Sequence, residues 1–220
     1  MTTSPASIDV QPDAAVPGRD HYDLAYIGAG RIHSFAHQIA TVLGHKPAEV
    51  LEVGVGSGCV AAALRALGIS VVTLDVQPEL RPDVLGSVTA IPMPDKCIDV
   101  AVCCQVLEHL PFAEFQSALT ELRRVARRGL VLSLPDASRY AEMRVAAPLV
   151  GRRGFAWSPP RLSPPSMPPS RWAEMGHHWE IGYRGYGFRR VCQGIQASGW
   201  KIIRDWRVYE LPWHHFFDLR

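Results

Sequence analysis

VLEVGVGSG, residues 50–58, is an apolar strand that runs through one acidic residue into glycines at three alternate positions. Gly54, Gly56 and Gly58 permit backbone conformations closed to other residues and let a ligand approach the main chain to contact distance. The small, apolar run 59–67 that follows reads as a helix whose first N–H groups face that ligand. Nicotinamide, flavin and sulfonium cofactors are all held by turns of this kind, so the flanking sequence has to choose among them.

Working outward, residues 49–53, 70–75, 98–104 and 129–134 are near-continuous apolar runs, and helical patterns at 59–67 and 112–127 lie between them. This alternation predicts an α/β fold, a Rossmann-like doubly wound sheet that is mostly parallel and covered by helices on both faces. A helix is expected at 26–43, where Ile32, Phe35, Ala36, Ile39 and Leu43 recur at helical spacing before Gly44 and Pro47. Beyond Pro135 the alternation stops. The proline-rich run SPPRLSPPSMPPS at 158–170 is expected to be extended rather than helical, and residues 135–180 to form a lid or substrate cap inserted in the domain. A helix at 187–198 and strands at 200–210 and 214–219 should follow, with Pro212 in the turn between the strands.

At 220 residues the chain suits a single domain, 21–220, after a leader at 1–20 expected to be disordered. It carries 23 basic and 21 acidic residues, a net charge of +2, so no global field favours nucleic acid or an anionic membrane. The arginine excess between 121 and 154 reads as a solvated face. The five cysteines form no CxxC pair and read as reduced, small apolar residues of a cytoplasmic protein. There is no apolar stretch of membrane-spanning length and no signal-peptide pattern at the start.

Three blocks in order carry a resemblance. LEVGVGSG at 51–58, LDV at 74–76 and GSVTAIPMPDKCIDVAVCCQVLEHLP at 86–111 resemble the first three motifs of class I S-adenosylmethionine-dependent methyltransferases, particularly the broad subgroup related to quinone-biosynthesis methyltransferases. The resemblance implies a seven-stranded sheet with an antiparallel last strand, and S-adenosylmethionine as cofactor. It also implies an enzyme that methylates an acceptor.

Asp75 ends the second strand, 21 residues after Gly54, where a carboxylate can accept from both hydroxyls of a ribose. An NAD ribose would suit it equally; the VLEHL block and Cys59, where a dinucleotide fingerprint has glycine, favour the sulfonium. By the resemblance, Glu52 sits near the cofactor ammonium, while a buried carboxylate capping nearby N–H groups suits the same position. The resemblance also puts adenine between Val76 and Val88 or Ile91, Ser87 near its exocyclic amine, and the Gln105 carbonyl near the methionine portion. Relatives usually have Asp where Ser87 stands. Arg31 suits a cofactor carboxylate, a substrate anion or a plain surface role.

Methyl transfer is an in-line displacement, so the protein mainly aligns a nucleophile. A hydroxyl acceptor would need a base, and the candidates are His178, His177 and His109, with Glu180 following the pair. No metal centre is expected from His177, His178, His214 and His215, because adjacent histidines point to opposite faces of a strand. The aromatic set Trp172, Trp179, Tyr183, Tyr186 and Phe188 reads as core and lid packing. The expected acceptor is a small molecule with an oxygen nucleophile, on a monomer or homodimer that neither binds nucleic acid nor inserts in a membrane. An RNA or protein methyltransferase is the second reading, and an NAD-binding or non-catalytic protein on the same fold the third.

Overall fold

A computed structural model of the chain describes residues 22, 26–147, 151–157 and 164–220. The expected leader at 1–20 lies outside the described residues. Seven strands form one sheet in the order β3-β2-β1-β4-β5-β9-β8. Its parallel part comprises β1 (Glu49–Val53), β2 (Ser70–Asp75), β3 (Val84–Leu85), β4 (Ile98–Cys104) and β5 (Ala126–Pro135). β9 (Leu211–Leu219) runs antiparallel between β5 and β8 (Ile202–Val208).

Burial on both faces explains why the central strands read as unbroken apolar runs. Leu130, Leu132 and Leu134 of β5, with Ala101 and Cys103 of β4, enter the core under α3 (Phe115–Val125) and α5 (Phe188–Ala197). Val131, Val100 and Val102, one residue out of phase, enter the opposite core under α1 (Ala29–Gly44) and α2 (Cys59–Ala66). Each fully buried leucine contributes about 1.5–3 kcal/mol relative to exposure, so both layers have a large share in holding the sheet.

Of the described arginines between 121 and 154, Arg127, Arg128, Arg139 and Arg144 are exposed, as on a solvated face, while Arg123 and Arg124 are half-buried. Half-buried Arg124 joins Glu121 and Asp95, each at 2.7 Å, to the carbonyls of Ile91 and Met93, and Arg127 reaches Glu49 and Asp99. The Arg124 contacts staple the loop before β4 to the end of α3, and those of Arg127 join β5 to β1 and β4.

Three expectations need correction. Within 135–180, β6 (Ala141–Ala147) and β7 (Gly151–Trp157) pair as an antiparallel hairpin, where no strand was expected. α4 (Pro169–Met175) interrupts the proline-rich run; it starts on a proline, whose missing N–H is unused in a first helical turn. Pro212 lies inside β9 rather than in the turn, which falls at Tyr209 and Glu210, and its carbonyl accepts from Arg207. Residues 158–163 lie outside the described residues.

Among the described residues, no helix is long and apolar enough to cross a membrane. All five cysteines are free.

Candidate functional site

The strand order reverses at β1, which pairs with β2 on one side and β4 on the other. Loops leaving neighbouring strands there diverge to opposite faces and open a crevice at the carboxyl edge. In this chain the crevice is a cavity of about 240 Å³ lined by the glycine turn, Asp75, Val76, Ser87, Val88 and the loop after β4.

The turn owes its shape to its glycines. Gly54 has φ +81°, and a Cβ there would stand 2.4 Å from Val106 Cγ2. Gly58, φ +72°, caps α2 in a left-handed conformation. The Tyr22 ring lies over the turn, 3.3 Å from where a Gly56 Cβ would be.

Asp75 is buried, and both of its oxygens already accept main-chain N–H groups: Oδ2 from Val55 at 2.8 Å and Oδ1 from Gln77 at 3.0 Å. Burial raises its pKa, opposed by those amides. A carboxylate has about four acceptor sites, so capacity for a ligand hydroxyl remains beyond its backbone amides. Glu52 lines the same cavity from β1, and its Oε2 is buried with no hydrogen-bond partner. Burial pushes its carboxyl up to about 8. An orphaned acid facing a cavity is what a bound ammonium would satisfy.

Gln105, directly after β4, holds φ +58°, a strained value for a residue with a side chain, while its amide donates to the Ser133 hydroxyl at 3.2 Å. Val76 and Val88 line the cavity; Ile91 is buried in the core and does not. The Ser87 hydroxyl reaches the cavity but is hydrogen-bonded to Thr89 at 2.8 Å.

A second cavity, about 440 Å³, adjoins the first and shares Tyr22, Tyr26, Arg31, Gln105, His109 and His214 with it. Its further wall includes Glu108, Arg171, Met175, His177 and Glu180. GHHWE, residues 176–180, is seated there by Trp179. This indole is fully buried, packs edge-on against Phe112 and Phe115, and donates to the Leu110 carbonyl at 3.1 Å. With Trp179 anchored, His177 Nδ1 meets Glu180 Oε1 at 2.8 Å, and the His177 ring stands edge-on to His109 with centroids 5.0 Å apart. His178 lines neither cavity; its main-chain N–H donates to the Glu108 carbonyl.

Several wall residues were not singled out from sequence. Tyr22 and Tyr26 pack edge to face at 4.9 Å, and burial raises both phenols. Arg31, which the sequence offered for a cofactor carboxylate, a substrate anion or a surface role, lies over the Tyr26 ring and donates to its hydroxyl at 2.7 Å. His214, weighed only as a metal ligand, bonds Ser34 at 2.9 Å and is held neutral, burial pushing it down to about 3. Glu108 is fully buried, and burial pushes its carboxyl up to about 7. It stands inside the VLEHL block, which was the available signal.

Residues 51–134 match the family described as methyltransferase domain. No curated protein matches the chain. Solved structures share its fold at low identity. A protein from Pyrococcus horikoshii is 13% identical, with TM-score 0.59, covering 91% of this chain and 94% of that one. The CcbJ methyltransferase from Streptomyces caelestis is 14% identical, with TM-score 0.56, covering 92% and 95%. The 1,6-didemethyltoxoflavin-N1-methyltransferase of Burkholderia thailandensis is 16% identical, with TM-score 0.57, covering 99% and 98%. The family match over residues 51–134, with the strand order and the crevice at its reversal, is consistent with a class I S-adenosylmethionine-dependent methyltransferase domain.

Proposed function

We propose that this enzyme methylates a hydroxyl group of a small molecule held in the second cavity. What supports this most directly is the pair of adjoining cavities with one shared wall: one is fitted to an adenosyl ligand, the other is lined by polar side chains and has room for an acceptor. The Burkholderia relative was crystallised with its small-molecule acceptor and S-adenosylhomocysteine together.

Asp75 accepts the ribose hydroxyls, Glu52 receives the ammonium, and Gly54, Gly56 and Gly58 admit the methionine portion beside Gln105. Val76 and Val88 flank adenine, with Ser87 at its edge. When bound, the sulfonium supplies a methyl carbon open to in-line attack. Tyr22 and Tyr26 close the shared wall and keep water from the junction. Ala137, Arg171, Met175, His177 and Glu180, which fall within the expected cap, line the acceptor cavity.

A neutral amine carries a free lone pair, whereas a hydroxyl must lose a proton to become a good nucleophile. Glu108, His109 and His177 stand together on the wall of the acceptor cavity, an arrangement suited to taking a proton from a hydroxyl acceptor. Among the three histidines considered, His177 and His109 therefore take the catalytic role, and His178, outside both cavities, does not.

The test is to incubate the protein with trideuteromethyl-labelled S-adenosylmethionine and separate fractions of metabolites, RNA and protein. Mass spectrometry should find the label on oxygen in the metabolite fraction. Label confined to RNA or protein would overturn the small-molecule reading, and label on nitrogen would overturn the hydroxyl.

A further inference from the structure

Glu108, His109 and His177 each place a ligand-type atom within 4.8 Å of the other two, on the wall of the second cavity. Their hydrogen bonds decide which atoms are on offer. His109 Nδ1 lies 3.2 Å from the Gly176 carbonyl, which can only accept, so Nδ1 carries the proton. His177 Nδ1 lies 2.8 Å from the Glu180 carboxylate, which fixes its proton in the same way. In the neutral tautomers Nε2 is the lone-pair nitrogen of each ring. Metal-bound histidines are oriented in this manner, by a carbonyl or carboxylate on the far nitrogen.

A separate observation concerns Glu108. Its side chain is fully buried, faces the cavity, and neither carboxylate oxygen has a hydrogen-bond partner in another residue. A buried carboxylate left unmet is costly, and a cation is the partner that removes the cost.

We infer that Glu108, His109 and His177 bind a divalent transition-metal ion of the zinc class, with open coordination positions facing the acceptor cavity. Two imidazoles and one carboxylate suit zinc and its neighbours better than calcium or magnesium, which favour all-oxygen sets. Metal–ligand bonds of about 2.0–2.2 Å require each donor to move inward by somewhat under an ångström, within side-chain rotation. This set differs from the histidine foursome rejected on sequence, since only His177 is common to both. It joins neighbours in the VLEHL turn to a histidine from the distant GHHWE segment.

The ion's role rests on the proposed hydroxyl acceptor; its binding does not. A hydroxyl placed in an open position would become more acidic. With the ion bound, His109 and His177 act as its ligands rather than as bases, so the hydroxyl proton would pass to water, and the oxygen pair would form the new O–CH3 bond as the S–CH3 pair returned to sulfur.

The test uses the full chain, freed of metal by chelation and titrated with Co²⁺ alone, without cofactor or acceptor. Visible d–d absorption should rise and saturate at one equivalent, and Zn²⁺ should abolish it. Glu108→Gln and His177→Gln should each weaken Co²⁺ binding about tenfold or more. His109→Asn does the same at a less buried position, and serves if the other two variants fail to fold. His33→Gln, an exposed histidine of α1, should leave the titration unchanged. Absence of a saturable band in the wild-type protein, or a band insensitive to the folded ligand variants, would overturn the site. S-adenosylhomocysteine affinity is measured separately, so failure of the metal site and failure of the cofactor reading give different results.

Discussion

Asp75 Oδ2 accepts the main-chain N–H of Val55 at 2.8 Å, so the acid that ends β2 also ties down the centre of the glycine turn that leaves β1. On the proposed reading, ligand binding and local folding share one carboxylate. Asp75→Ala is expected to destabilise the ligand-free protein by about 1.5–3 kcal/mol, the usual worth of hydrogen bonds to a charged group, and to weaken S-adenosylhomocysteine binding at least tenfold. Thermal melts and calorimetric titration check the two effects independently. A variant that loses affinity with an unchanged melting temperature would show the acid acting on the ligand alone.

The Glu52 carboxyl, raised to about 8 by burial, remains protonated in the ligand-free protein at neutral pH. Gaining an ammonium requires it to ionise, so binding releases a proton, and affinity should climb by up to about tenfold per pH unit as pH rises toward 8. Glu52→Gln should flatten this profile and weaken binding. The folded pKa lies above the unfolded value, so the native acid loses stability as pH rises from about 4.5 to 8. The Gln variant should accordingly melt higher than the wild type at alkaline pH, without ligand. A flat profile in the wild type would contradict the ammonium role.

Gly54→Ala and Gly58→Ala separate backbone strain from crowding. Both positions have positive φ, which costs a residue with a Cβ about 1–2 kcal/mol. A Cβ at Gly58 meets nothing within 4 Å, but one at Gly54 collides with Val106 Cγ2, and β-branched Val106 has little rotamer freedom. The Gly54 variant should therefore be less stable by a further 1–3 kcal/mol or so. Urea denaturation of both variants reads the difference, and equal losses would show that Val106 yields.

Much of this was visible in the residues themselves, and the reasons are local. The strands at 49–53, 70–75 and 98–104 are buried on both faces, so each is one apolar run with polar residues or glycine close to its ends. The glycine turn and Asp75 are contiguous with those strands and could be located with them. β3 is two residues long and carries no periodicity to detect. In the hairpin from β6 to β7 the alternation is short, Ala141, Met143 and Val145 against Glu142 and Arg144, and the opening of β7, Gly151, Arg152, Arg153 and Gly154, carries none. The walls of the second cavity meet only in three dimensions, which is why Glu108 and His214 were not read as site residues. Nor could neighbouring histidines be told apart without knowing that Trp179 is the anchored residue of GHHWE.

That distinction is testable. His177→Gln should lower turnover by tenfold or more with little change in S-adenosylhomocysteine affinity, because His177 lines only the second cavity. His178→Gln should have a smaller effect on turnover. Steady-state kinetics on the acceptor found by isotope labelling check both, and the reverse order would move the catalytic role to His178.

Isothermal titration of the purified chain with S-adenosylhomocysteine, run beside NAD, tests the central claim most directly. One equivalent of S-adenosylhomocysteine should bind, with affinity lost in Asp75→Ala, and NAD should give no heat of binding. Saturable binding of NAD without any of S-adenosylhomocysteine would contradict the account.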